Sequence, residues 1–383
     1  MKIAILGVFC ISGFISAQTL TGTWEKKASL GGTGRHRGVG GNAWNKGYIG
    51  LGHVNGAGAD ISYKDWWEYD PASDSWTQKA NYPVNNHGAV SFVVNNMPCV
   101  GGGSSLAGEF YKFNPQLNTW SPIAPCPFFN PGDTQGFSVN NKGYVYLMNQ
   151  LAEYDPLSNQ WTLMPTAPMS FGTWSCSFTV GASGFIKSGN KLYEFKPSQQ
   201  TWLQRADFPG VSTGGSSAFS INDMGYITCG YVGGLSVVTD QVWAFNPGIN
   251  QWIAIEEFKG TSRRFPVAFA VDNKGYFGSG TNGANFNDFW QYNPSINSLD
   301  ESLSLQIKIY PNPAAEFVTL EKSPSTLIDR VNLLTNLGQN IRQIELVNGK
   351  EQIPVFDLPT GIYHLMFYKD NYFVGSEKFS IQK

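Results

Sequence analysis

One ten-residue pattern occurs six times in this chain of 383 residues, and few folds can accommodate it. The copies read WEYDPASDSW (67–76), YKFNPQLNTW (111–120), AEYDPLSNQW (152–161), YEFKPSQQTW (193–202), WAFNPGINQW (243–252) and WQYNPSINSL (290–299). Their prolines, Pro71, Pro115, Pro156, Pro197, Pro247 and Pro294, recur every 41–50 residues, the period of one propeller blade. Aromatic residues such as Tyr69 and Phe113 mark a short strand, and the Asp or Asn beside proline starts a turn. The Trp five residues after that proline then opens the next strand with a large apolar face to bury.

A second hairpin signal precedes most copies: AWNKGYIGL (43–51), SVNNKGYVYL (138–147), TVGASGFIKS (179–188), SINDMGYITC (220–229) and AVDNKGYFGS (270–279). Gly47, Gly143, Gly184, Gly225 and Gly275 are expected to supply positive φ to these turns. The corresponding run in the second repeat, SFVVNNMPCVGG (91–102), has Met97-Pro98 instead, and a different turn type is expected there. Two hairpins per repeat give four antiparallel strands, one blade. The last copy ends in Leu299 rather than Trp, whereas GTWEKKA (22–28) matches SWTQKA (75–80), so the first strand is expected to complete the sixth blade. The fold class expected is all-β: a six-bladed propeller over 18–297, a linker at 298–306 and a small β-sandwich over 307–383.

Composition agrees with many short strands, with 43 Gly and 12 Trp but only 14% charged residues. A formal charge of -2 offers no field for nucleic acid. Lys2, the apolar run Ile3 to Ile15 and Ser16-Ala17 before Gln18 read as a signal peptide over 1–17, and no transmembrane segment is expected. Cys10 follows the bulky Val8-Phe9, which argues against lipidation. Cys99, Cys126, Cys176 and Cys229 show no metal or redox spacing and read as small buried hydrophobes, with disulfides left open.

The repeats resemble the kelch family, whose blades carry a Tyr-Asp-Pro, four residues, then Trp. The family's Gly-Gly pair is clear only at Gly101-Gly102-Gly103 and in part at Gly233-Gly234. A second resemblance covers the end of the chain. IKIYPNPAAEFVTLE (307–321), VNLLTNLGQNI (331–341), LPTGIYHLMFY (358–368) and EKFSIQK (377–383) are similar to the C-terminal sorting domain of the type IX secretion system of Bacteroidota. That resemblance implies passage through the periplasm, partners in the secretion machinery and a sortase acting on 307–383, and a secreted or cell-surface protein.

In a propeller, the loops leading into the first strands and those after the second strands share one face, around the channel mouth. The candidate ligand-binding residues there are Arg35, His36, Arg37, His53, His87, Asp133, Trp174, Arg263 and Arg264, with Asn86, Gln135 and Asp288 beside them. Arginines suit a carboxylate or phosphate, and Trp174 offers a stacking face for a sugar. The same residues also suit a hydrated rim that keeps the face soluble. No metal or cofactor is expected, because His36, His53 and His87 have no recognised ligand spacing. The leading expectation is a non-catalytic module that binds a glycan or a protein. The alternative, by resemblance, is a kelch-type carbohydrate enzyme of the sialic-acid epimerase or galactose oxidase kind.

Overall fold

The computed structural model describes residues 19–297 and 307–383, apart from 57, 129–131, 324–325, 327, 336–339, 347–348 and 370–371. The expected leader 1–17 and linker 298–306 lie outside the described residues. Among those described, every regular element is a strand. Two compact units result, one of Thr21–Asn246 with Asn250–Ser295, the other containing Ile296–Lys383.

The first unit holds six four-stranded antiparallel sheets. Sheet one runs Val39–Ala43, Lys46–Gly50, Trp66–Asp70, Ser75–Lys79. Sheets two to five repeat this order from first strands Val90–Val94, Phe137–Val139, Cys176–Val180 and Ser217–Ile221. Sheet six begins at Val267–Val271, and its outermost strand is the N-terminal Thr19–Lys27, paired beside Phe289–Asn297. The six first strands touch one another in sequence order, and that of sheet six also touches that of sheet one. They surround a central channel of about 560 Å³.

The recurring tryptophan tethers each sheet to the one before it. The indole N–H groups of Trp76, Trp120, Trp161, Trp202 and Trp252 donate to the carbonyls of Ala28, Ala80, Ala124, Pro165 and Ala206 at 2.8–2.9 Å. Trp24, on the N-terminal strand, repeats the contact to Glu256 at 3.4 Å and packs on Phe258 and Tyr292, each with ring centroids 5.1 Å away. The amides of Ala28, Ala80, Ala124 and Ala206 donate in return to the side chains of Asp74, Asn118, Asn159 and Asn250. At the fourth repeat the acceptor position holds Gln200 and the facing residue is Pro165, which has no N–H to donate.

The glycines expected in the inner turns are not in them. Positive φ falls on the pairs before, Trp44-Asn45, Asn140-Asn141, Asn222-Asp223 and Asp272-Asn273, and on Gly181. The second repeat uses the same conformation at Asn95-Asn96, so its turn is not of another type. The glycines instead make room for a phenylalanine from the preceding sheet. A Cβ on Gly47, Gly143, Gly184, Gly225 or Gly275 would lie 2.0–2.3 Å from the ring of Phe269, Phe92, Phe137, Phe178 or Phe219, respectively. Sheet one has Gly41 where the others place this ring, and sheet two accordingly carries Pro98 where the others need glycine. Loss of the knob at one site thus matches loss of the hole at the next.

In the second unit, a three-stranded sheet (Ile307–Tyr310, Phe317–Lys322, Lys350–Pro354) and a four-stranded sheet (Asn340–Glu345, Arg330–Thr335, Gly361–Lys369, Tyr372–Ile381) share a core. Val318, Leu320, Val331, Leu333, Ile353, Leu365 and Phe367 fill it. Period-two alternation puts these apolar residues on one face of each sheet.

Candidate functional site

The channel mouth is closed by backbone. Just before each first strand stands one residue with φ between 54 and 65°: Arg37, Gly88, Asp133, Trp174, Gly215 and Phe265. Each donates its N–H to the carbonyl of a neighbour in the ring. Gly88 bonds Arg37, Asp133 bonds Gly88, Trp174 bonds Asp133, Gly215 bonds Trp174, Phe265 bonds Gly215, and Arg37 bonds Phe265. Left-handed φ turns each amide along the circumference, so the six bonds form a closed cycle. A hexagon with sides of about 5 Å, the spacing of hydrogen-bonded backbone neighbours, admits water and excludes a sugar.

Side chains divide this cap into two halves. Arg37 and Asp133 meet over Gly88 in a bidentate pair, with Nε to Oδ1 at 2.7 Å and Nη2 on Oδ2. A Cβ on Gly88 would lie 2.5 Å from that carboxylate. Opposite, Trp174 and Phe265 meet near Gly215 with centroids 5.4 Å apart, and Tyr231 adds an edge contact to Trp174 at 5.7 Å. The space left among these residues is about 50 Å³, room for one or two waters.

Arg35 and Arg263, expected at the mouth, are buried braces instead. Arg35 sends Nη2 to Asp65 at 2.8 Å, Nη1 to the Asp65 carboxylate and to the Leu51 carbonyl, and Nε to the Thr33 carbonyl. Arg263 repeats the set with Asp288 at 2.9 Å, the Ser279 carbonyl and the Thr261 carbonyl. Each guanidinium lies over a ring, Tyr63 at 4.1 Å and Phe286 at 4.2 Å. Burial alone would raise the Asp65 and Asp288 carboxyls, but hydrogen bonds from the arginines and from Trp67 and Trp290 outweigh it and hold both below the usual range. All three nitrogens of each guanidinium are engaged and both side chains are buried, so neither arginine faces a ligand, and Asp288 is a brace partner rather than a mouth residue. Asn86 is also buried, donating to the Gly102 carbonyl at 2.8 Å.

The three histidines are brought together, but as a stack. His53 lies on His87 at 4.1 Å and 14°, and His36 tilts against His53 at 5.2 Å. His36 Nδ1 bonds Asn285, His53 Nε2 bonds Asp60, and His87 Nδ1 bonds Ser62 and Ser104. Only the His53 and His87 rings are parallel, His36 lying at 56° to His53, and the described residues contain no group of three or more His, Cys, Asp or Glu that could hold a metal ion. Burial pushes His36 and His87 down to about 4, helped by Arg37 and the neighbouring imidazoles, so both are neutral at pH 7. His36 also approaches Phe265, which links the histidine stack to the aromatic half of the cap.

Arg264 differs from the other arginines of this face. Its Nε and Nη1 are buried without a protein acceptor among the described residues, and its carbon centre lies 5.9 Å from the Phe265 ring. Gln135 reaches Ser216 and Ser177 below the cap. The sequence reading missed Phe265, Gly88, Gly215 and Tyr231, because aromatic residues and single glycines in loops do not announce a shared ring.

Cys99, Cys126, Cys176 and Cys229 are all free and buried, and burial raises each thiol well above its ordinary value.

Comparison with known proteins adds two findings. Residues 308–382 match the family model described as the secretion system C-terminal sorting domain. This tail implies export by the type IX secretion system and a secreted or cell-surface location. No helix among the described residues is long and apolar enough to cross a membrane. A solved structure of YjhT is similar in fold, at 16% identity and a TM-score of 0.57, covering 71% of this chain and 99% of that one. That likeness and the small four-stranded sheets define a β-propeller-like all-β protein. Among curated proteins, none matches.

Proposed function

We propose that residues 18–297 form a six-bladed kelch-type propeller closed by its N-terminal strand, carried by a leader at 1–17 and a sorting domain at 307–383. Outside the cell it acts as a non-catalytic binding module for a glycan or a protein. The observation that carries this reading is the cap. The mouth residues satisfy one another across the channel, so the face offers a surface of rings with one unpaired guanidinium, rather than a chamber. Trp174, Tyr231 and Phe265 supply stacking area, and Arg264 supplies donors that await an acceptor.

The test is a glycan array and a surface-protein panel probed with mature protein and with Trp174→Ala and Arg264→Ala. Saturable binding that both variants weaken, with the ligand recovered unchanged, supports the proposal. Turnover of sialic acid or a galactoside, lost in Arg37→Ala, would replace it with the carbohydrate-enzyme reading.

A further inference from the structure

At the other end of the channel, next to the lining residue Asn45, one residue is out of character. Five of the six inner turns hold two consecutive left-handed residues, a conformation that Asn and Asp tolerate because a short polar side chain can bond locally. Sheets two, three, five and six use only Asn and Asp, and sheet four begins with Gly181. Sheet one places Trp44 there, with φ 49°. A bulky aromatic in this region is strained, and burial does not offset the cost, since Trp44 is 56% exposed. Among the described residues it makes no ring contact, and its indole N–H meets no acceptor.

The turns beside it are equally unspent. In sheets two and three, Asn95 and Asn141 bond each other's turns. On the arc formed by sheets five, six and one, the side chains of Asn222, Asp223, Asp272, Asn273 and Asn45 line the channel and have no hydrogen-bond partner among the described residues. No lysine or arginine lines the cavity. Two carboxylates without a lining cation disfavour an anion, whereas adjacent amides and carboxylates suit pairs of hydroxyl groups. The volume falls in the range of small-molecule sites.

We propose that this rim is a second binding site, specific for a neutral carbohydrate chain, with one pyranose stacked on Trp44 and its hydroxyls held by Asp223, Asp272 and the neighbouring asparagines. The site lies at the opposite end of the channel from the cap and does not depend on the reading of that face.

The experiment is calorimetry of mature protein, Trp44→Asn and Trp174→Ala with maltohexaose, cellohexaose, xylohexaose and laminarihexaose. At least one of the four should bind saturably, with affinity falling at least tenfold in Trp44→Asn, while Trp174→Ala still binds it. Trp44→Asn should melt no lower than the parent, because Asn is what the sibling turns carry, so lost binding will not reflect lost folding. The proposal is overturned if none of the four sugars binds, or if Trp44→Asn binds as well as the parent. Loss in Trp174→Ala alone would also overturn it, while supporting a site at the cap.

Discussion

Replacing Gly184 by alanine tests the packing between sheets with a single methyl group. The added Cβ would lie 2.0 Å from Phe137 Cε2 and 2.5 Å from Cδ2. Carbon atoms rest at about 3.5–4.0 Å, so the ring must retreat by roughly 1.5 Å or the two sheets must part. Phe137 cannot retreat freely, because it stacks on Tyr144 at 5.0 Å and 8° inside a core with Tyr146, Leu151 and Ile186. Overpacking of this kind costs about 1–3 kcal/mol, and loss of the ring stack adds about 1 kcal/mol, for a total near 3 kcal/mol. A unit of this size should then melt roughly 6–10 °C lower. Phe137→Leu alone should cost about 1 kcal/mol, and in combination it should relieve the clash, leaving the double variant about 2 kcal/mol better than the sum. Urea denaturation of the four proteins measures the cycle. Costs additive within about 0.5 kcal/mol, or a neutral Gly184→Ala, would refute the knob-and-hole account.

Asp65→Asn and Asp288→Asn should each cost about 3 kcal/mol in the same assay, because each strands a buried guanidinium. Asp133→Asn, which breaks a pair about one quarter exposed on both sides, should cost under about 1 kcal/mol; equal costs would erase the distinction between brace and cap. Acid should also act through the histidines. His36 and His87 titrate near 4 in the folded chain against 6.5 in the unfolded one, so the unfolded state takes up protons first as pH falls from 6.5 to 4. Stability should be constant above pH 6.5 and decline across that window by about 1 kcal/mol per histidine after allowance for solvent screening. His36→Gln with His87→Gln should flatten the decline, and an unchanged profile would place the acid sensitivity elsewhere.

The repeat made the strand pairs and outer turns legible, because a Trp five residues beyond a proline states both a turn and a burial. It also pointed to the N-terminal strand beside Tyr292. What single repeats could not show was contact across sheets. Gly184 looks like a turn glycine in its own hairpin, and only its neighbour's Phe137 reveals its role. Arg35 and Arg263 are visible as charges near a loop, but burial, which decides between brace and ligand clamp, depends on Asp65 and Asp288 reaching them from the residue just before a later strand. The cap was hidden more deeply, since Arg37, Trp174 and Phe265 are not residue types that suggest left-handed backbone. Cyclic hydrogen bonding imposes that conformation from outside the local sequence. His36, His53 and His87 stand out in the sequence as candidates, but their stacking does not, because it joins two loops and the strand His53–Gly56.

We propose that the N-terminal strand holds the ring shut, and amide hydrogen exchange of residues 18–383 tests this most directly. Amides of Thr19–Lys27 should exchange as slowly as those of Val267–Val271 and Lys274–Gly278 in the same sheet, all opening in one global event. Fast exchange across Thr19–Lys27 while those two strands stay protected would contradict the claim.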